Sequence, residues 1–203
     1  PANYTKKFYG PSTMRLGIEK SRNLMTVRLA QTIGMDRITQ YAKRLGISDR
    51  FPETLSMALG AGETTLMRLT TAYAMLVNGG KRITPSLIDR IQDRHGRTVM
   101  RHDKRTCTGC RLKSWTGEAA PRIADIREQV TDSGSAYQVV AMLKGVVDRG
   151  TGRRVAKVGK PLAGKTGTTN QERDTWFIGF SPDLAVGVFA GFDTPIPLGR
   201  RET

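Results

Sequence analysis

The 203-residue sequence has no run of 18 or more apolar residues, so no segment could cross a bilayer as a helix. Its most apolar stretch, LAVGVFAGF at 184–192, is only strand-length. A signal peptide is missing too, and the chain opens at Pro1 rather than Met, so it is expected to be a piece of a longer protein. Aromatic residues are scarce, at 6%, and are not interleaved with the basic ones. That argues against a stacking platform for single-stranded nucleic acid. Cysteine is nearly absent, with Cys107 and Cys110 forming a single C-x-x-C, and the only histidines are His95 and His102. A His2Cys2 zinc site is conceivable, but the His-first spacing matches no strong zinc signature. A thioredoxin-type motif needs a helix starting at the first cysteine, which Thr108-Gly109 followed by Arg-Leu-Lys does not suggest. Outside the cytoplasm the pair reads as a local disulfide pinning a surface loop, with free thiols the next option. Neither a metal nor a cofactor is expected.

Acidic residues are also in deficit: 18 Asp+Glu face 33 Lys+Arg, for a net charge of +15. Such a balance invites a polyanionic partner, because basic surfaces release counterions from phosphate backbones. Outside Arg153-Arg154 and Arg200-Arg201, however, the basic residues are mostly scattered. A surface facing anionic lipid headgroups or cell-wall polymers explains the charge equally well, and specific nucleic-acid binding is not expected. At this length the chain can bury one core, with room for a small appendage.

Hydrophobic periodicity places helices in the first two thirds of the chain. Ser12 is positioned to cap a helix over 13–20, and a second pattern, 24–33, stops at Gly34. Residues 36–45 are amphipathic, with Gly46 as the stop, and 64–77 is the clearest helix, ended by Asn78-Gly79-Gly80. Residues 87–100 alternate as a β-hairpin around His95-Gly96. The polar, Gly- and Pro-broken segment at about 101–133 reads as an insertion carrying both cysteines. A helix over 136–147 follows, closed by Arg149-Gly150-Thr151-Gly152. LAGKTGTT, DTWFIGF and LAVGVFAGF then form β-rich runs, the last two joined only by Ser181-Pro182-Asp183, so they are antiparallel neighbours. The predicted class is α+β, an antiparallel sheet with helices packed on it.

One string could overturn that picture. GKPLAGKT, 159–166, fits the phosphate-cradling pattern G-x-x-x-x-G-K-[ST]. A phosphate loop needs a helix directly after Lys-Thr, but here Gly167-Thr168-Thr169-Asn170 follow, poor helix formers all. VAKVGKP, before the loop, is no buried parallel strand. Once AGKTG is granted, Gly159 alone completes the match, roughly a one-in-ten coincidence in a chain with 22 Gly. A nucleotide-binding protein and a basic nucleic-acid module therefore stand as alternatives to a third reading.

Serine transpeptidases and serine β-lactamases use S-x-x-K, S-x-N and K-T-G. Ser21-Arg22-Asn23 supplies S-x-N between two helices, and Lys165-Thr166-Gly167 supplies K-T-G. The flanking strings NYTKKFYGPSTMRLGIEKSRNLMTVRLA, GAGETTLMRLTTAYAMLVNGG, VVDRGTG, AGKTGTTNQERDTWFIGFSPDL and VGVFAGFD resemble the transpeptidase domain of class A penicillin-binding proteins. They cover nearly the whole chain apart from 101–133, which looks like an extra insertion found in some Gram-negative versions.

The resemblance implies a serine β-lactamase/D,D-transpeptidase-like fold and acyl transfer onto a serine. The substrate would be a peptidoglycan stem peptide, which β-lactams mimic. Ser21 would relay a proton towards the leaving amine, and Asn23 would hold the substrate's amide. Lys165 would keep the site positive and polarise Ser21. Thr166 and Thr168 would offer hydroxyls to the substrate carboxylate, and Gly167 would let substrate backbone lie along the strand. The Thr168 N–H would serve as an oxyanion donor.

The first element, S-x-x-K, is missing. Ser12-Thr13-Met14-Arg15 puts arginine in the lysine position, and arginine cannot give up its proton to act as the base. The nucleophile is therefore expected upstream of Pro1, together with a glycosyltransferase domain and membrane anchor. The resemblance places the whole at the periplasmic face of the bacterial inner membrane. This chain alone is expected to be inactive.

Overall fold

The structure is a computed structural model that describes residues 2–107, 109–110, 113–114 and 116–199. The Arg200-Arg201 pair, and Thr108, Arg111 and Leu112 beside the cysteines, lie outside them. The chain divides into two compact units. One comprises Pro1–Arg82 with Gln129–Thr203, and the other is Ile83–Glu128.

Among the described residues, five α-helices and a three-stranded sheet build the larger unit. Helix α1, Met14–Glu19, is capped by Thr13, whose hydroxyl accepts from the Leu16 N–H. The expected cap, Ser12, lies one residue too early and instead bonds the Gly10 carbonyl. Helices α2, Asn23–Ile33, and α3, Met35–Arg44, meet at Gly34, whose φ of 97° suits a residue without a Cβ. Asp36 in the first turn of α3 and Lys43 and Arg44 in its last match the helix dipole.

Thr65 caps α4, Leu66–Val77, so the helix starts later than its apolar pattern suggested. Thr64 is spent on the Ile47 carbonyl, which its hydroxyl reaches at 2.5 Å. Helix α5, Ser133–Arg149, is longer than 136–147 at both ends; Asp132 accepts from the Ser135 N–H at 2.7 Å and opens it early.

Strand β1, Arg90–Gln92, and β2, Thr98–Arg101, form an antiparallel hairpin that turns at 93–97, within the smaller unit. That unit also holds Cys107 and Cys110, joined by a disulfide with Cα atoms 5.6 Å apart. With the sulfurs joined, no thiolates are left for the His2Cys2 zinc arrangement. The excursion from the main unit thus begins at Ile83, before the hairpin, and residues 129–133 return to the main unit. Lys81 bridges Gln129, and the Val130 and Thr131 N–H groups donate to the Gly80 carbonyl, closing the two ends of the main unit together.

Strands β3, Ala163–Thr168, β4, Asp174–Phe180, and β5, Ala185–Gly191, pair antiparallel in that order. Gly159, which completes the phosphate-loop pattern, ends a 3₁₀ turn over Arg153–Val158 in the left-handed conformation, with φ at 69°. It is a structural stop and no part of a phosphate cradle. The core lies between the sheet and α4 and α5: Leu143 and Val146 pack on Ala163 and Phe180, with Tyr73, Val77 and Ile18 around them. Val146 is fully buried. Burying such a side chain contributes about 1.5–3 kcal/mol. Helix α1 packs on α5, which brings the turn after α1 to the sheet. Among the described residues no helix is long and apolar enough to cross a membrane.

Candidate active site

Two short segments, 144 residues apart in sequence, meet here. The α1–α2 turn holds Ser21 at φ 49°, in the left-handed region that few non-glycine residues occupy. Two backbone bonds keep it there: the Ser21 N–H donates to the Ile18 carbonyl at 3.2 Å, and the Arg22 N–H to that of Gly17 at 2.8 Å. A strained residue persists only where its surroundings over-determine it. Here the outcome is a serine hydroxyl turned towards the sheet.

Lys165 sits in the middle of β3, opposite Ile178 of β4. Residues alternate across a strand, so Lys165 shares the helix-covered side with Ala163, while Thr166 and Thr168 take the other face. From there the Lys165 Nζ donates to the Ser21 Oγ, and to the Thr166 carbonyl at 2.9 Å. Burial pushes the ammonium down from its usual 10.5 to about 8. At neutral pH it still carries its proton most of the time, roughly nine parts in ten. The Ser21 oxygen takes an N–H from lysine, which leaves its own hydrogen free for a third group. The pair is therefore a hydrogen-bonded chain whose serine hydrogen can be given to a further acceptor.

The other residues singled out in the sequence fall less neatly. Thr166 turns its hydroxyl to that of Thr151, 2.8 Å away. Thr168 is exposed, and the Gly167 carbonyl accepts from the Thr175 hydroxyl at 3.3 Å. By alternation Gly167 shares the face of Lys165, whereas the Thr166 and Thr168 side chains take the other. Asn23 opens α2, and its amide donates to the Ala2 carbonyl at 3.0 Å. Between it and Ser21, Arg22 lies over the Tyr9 ring, with the guanidinium carbon 3.1 Å from the centroid. This contact holds segment 2–11 against the turn.

Three residues that sequence reasoning passed over also belong here. Glu19, almost fully buried, receives two bonds from the Arg149 guanidinium: Nε to Oε2 at 2.9 Å, and Nη2 to Oε1. Thr151 completes the set. The strings EKSRN and VVDRGTG contain all three, but nothing in either string shows that they touch.

Strand β3 continues past Lys165 to Thr168 and gives way to a three-residue 3₁₀ turn, 170–172. No helix N-terminus follows the lysine, so the phosphate-loop reading fails on geometry.

An antiparallel sheet covered by helices, with a strand lysine placed on a serine between two helices, defines the serine β-lactamase-like fold. A sequence profile of the family described as "Penicillin binding protein transpeptidase domain" matches residues 2–191, and the chain belongs to that family. It is similar to Penicillin-binding protein 1A of Rickettsia bellii, with 49% identity over 207 residues, all of this chain and 26% of that protein. Penicillin-binding protein 1A of Neisseria meningitidis is 38% identical over 202 residues, 98% of this chain and 23% of that protein. The chain thus spans about a quarter of the length of these relatives. Among solved structures, Penicillin-Binding Protein 1A from Haemophilus influenzae matches at a TM-score of 0.81 with 27% identity, over 98% of this chain and 33% of that one. PonA1 of Mycobacterium tuberculosis, solved in complex with penicillin V, shares the fold at a TM-score of 0.75 and 20% identity, over 97% of this chain and 52% of that one.

Proposed function

We propose that this chain is the C-terminal part of a D,D-transpeptidase domain that cross-links peptidoglycan stem peptides by serine acyl transfer and binds β-lactams. The observation that carries the reading is the hydrogen bond from Lys165 on β3 to Ser21 between two helices. An acylating serine from an S-x-x-K element would attack the donor peptide's carbonyl, and D-Ala would leave as the C–N bond breaks. Ser21, held open-ended by Lys165, passes the proton to that leaving amine. An amine of a second stem peptide then takes the acyl group and frees the serine.

Lys165 draws the donor's carboxylate to the β3 edge, where the Thr166 and Thr168 hydroxyls bind it. Gly167 leaves room for peptide backbone along that edge, and the Thr168 N–H donates to the developing oxyanion. Asn23 binds the substrate's amide. The Cys107–Cys110 disulfide fits an oxidising compartment.

These 203 residues contain no S-x-x-K, so the acylating serine lies upstream, with the membrane anchor and glycosyltransferase domain of a bifunctional synthase at the periplasmic face. Net charge of +15 suits an anionic membrane surface or cell wall. The test is labelling with a fluorescent penicillin. A form extended upstream through an S-x-x-K is expected to be acylated one-to-one, and the 203-residue chain not at all. Stoichiometric labelling of the short chain would overturn the assignment of the nucleophile. No labelling of the extended form would overturn the function.

A further inference from the structure

The residues just before Ser21 and the end of α5 are bound to each other more tightly than packing of two helices requires. Besides the bonds from the Arg149 guanidinium to the Glu19 carboxylate, the Lys20 Nζ donates to the Arg149 carbonyl at 2.7 Å. In the same place the Thr151 N–H donates to the Glu19 carbonyl at 3.1 Å. Residues 19–20 are thus fastened to 149–151 through both side chain and backbone. The fastening leaves no slack, because a Cβ on Gly145 would strike the Glu19 carboxylate and one on Gly150 the Glu19 carbonyl. The Glu19 side chain is 3% exposed against 55% for Arg149, so the carboxylate is the buried partner and depends on the guanidinium for its hydrogen bonds.

This knot touches the active site on both sides. Ser21 follows Lys20 directly, and the Thr151 hydroxyl bonds that of Thr166, next to Lys165. Contacts therefore close a ring: Lys165 to Ser21, along the chain to residues 19–20, across to 149–151, and through Thr166 back to Lys165.

We propose that Glu19 and Arg149 are positioning residues that hold the Ser21 hydroxyl on Lys165, a reading that rests on the role of Ser21 proposed above. Neither touches substrate. Both act by fixing a serine that its own backbone preference would turn elsewhere.

The test uses the full-length protein, with Glu19→Gln, Arg149→Lys and Ser21→Ala, alone and combined. At saturating penicillin, Glu19→Gln is expected to slow acylation roughly ten- to a hundred-fold with little change in the concentration at half-saturation. Arg149→Lys, which keeps the charge, should recover part of the rate. In a Ser21→Ala background Glu19→Gln should cost no more than about twofold further, since the group it positions is gone. A purely structural role predicts the same loss in both backgrounds, which would overturn the proposal.

Hydrogen exchange gives a readout that needs no activity. Glu19→Gln should speed exchange of the segment 18–24 while leaving 174–191 unchanged. Faster exchange throughout, or none in 18–24, would overturn the clamp. If Glu19→Gln does not fold, Arg149→Lys carries both readouts, and unchanged rate and exchange in that variant overturn the clamp. Should the wild type resist penicillin while 18–24 still loosens in Glu19→Gln, the clamp stands and the transpeptidase function falls.

Discussion

At Lys165 two demands compete. The proposed mechanism asks for a positive charge facing the substrate, yet the strand buries that charge against helices. Its folded-state pKa, about 8, lies below the usual 10.5, so the unfolded chain holds the proton more tightly. Stability is therefore gained as pH rises from about 8 towards 10.5, whereas catalysis that needs the ammonium fades around pH 8. Acylation by penicillin in the full-length protein is expected to show a basic limb near pH 8. Lys165→Arg should lose about tenfold or more in rate, because the planar guanidinium does not fit the same contacts, but it should lack that limb. The melting temperature of Lys165→Met relative to wild type should fall as pH goes from 7 to 9.5, since wild type sheds its buried charge. At Ser21 the strain is in the backbone, with φ at 49°. Ser21→Gly should be more stable than Ser21→Ala by about 0.5–1 kcal/mol in thermal melts, while both remove the hydroxyl that accepts from Lys165.

Among the elements, β3 is held tightly against β4. A Cβ at Gly164 would come within 2.6 Å of the Ile178 carbonyl and 2.8 Å of the Phe177 ring. Gly164→Ala should therefore push β3 away from β4, costing about 1–3 kcal/mol in denaturant unfolding and slowing acylation through the displaced lysine. In the sequence this glycine was legible as a letter of the phosphate-loop pattern and as the start of a β-rich run. Its real constraint comes from a strand 14 residues later that packs against it. Helix ends show the same thing on a smaller scale. Apolar periodicity located α1, α4 and α5 but missed their starts, because the capping side chains Thr13, Thr65 and Asp132 lie just outside the apolar stripe.

For the whole molecule, the disulfide belongs to the smaller unit and spans a sequence separation of 3. A loop that short removes little entropy from the unfolded chain, on the order of 2 kcal/mol at most. Replacing Cys107 and Cys110 by serine should leave penicillin acylation unchanged and the main thermal transition within about 2 °C. The net charge of +15 acts at long range. Cosedimentation with anionic vesicles should weaken steeply between 50 and 300 mM salt, whereas binding confined to DNA would favour the nucleic-acid reading.

By itself, the sequence determined the α+β class, the order of helices and strands, and the two motif halves at Ser21 and Lys165. Those are local matters of periodicity, turn residues and motif spelling, each legible within about twenty residues. The tertiary structure alone decided that Lys165 donates to Ser21, and that the Thr166 hydroxyl meets that of Thr151. It also showed that the buried Glu19 carboxylate and the half-exposed Arg149 guanidinium, 130 residues apart, form one ion pair. Hydrogen bonds and ion pairs depend on separation in space. A chain's separation in sequence leaves that distance open until the core between α5 and the sheet has closed.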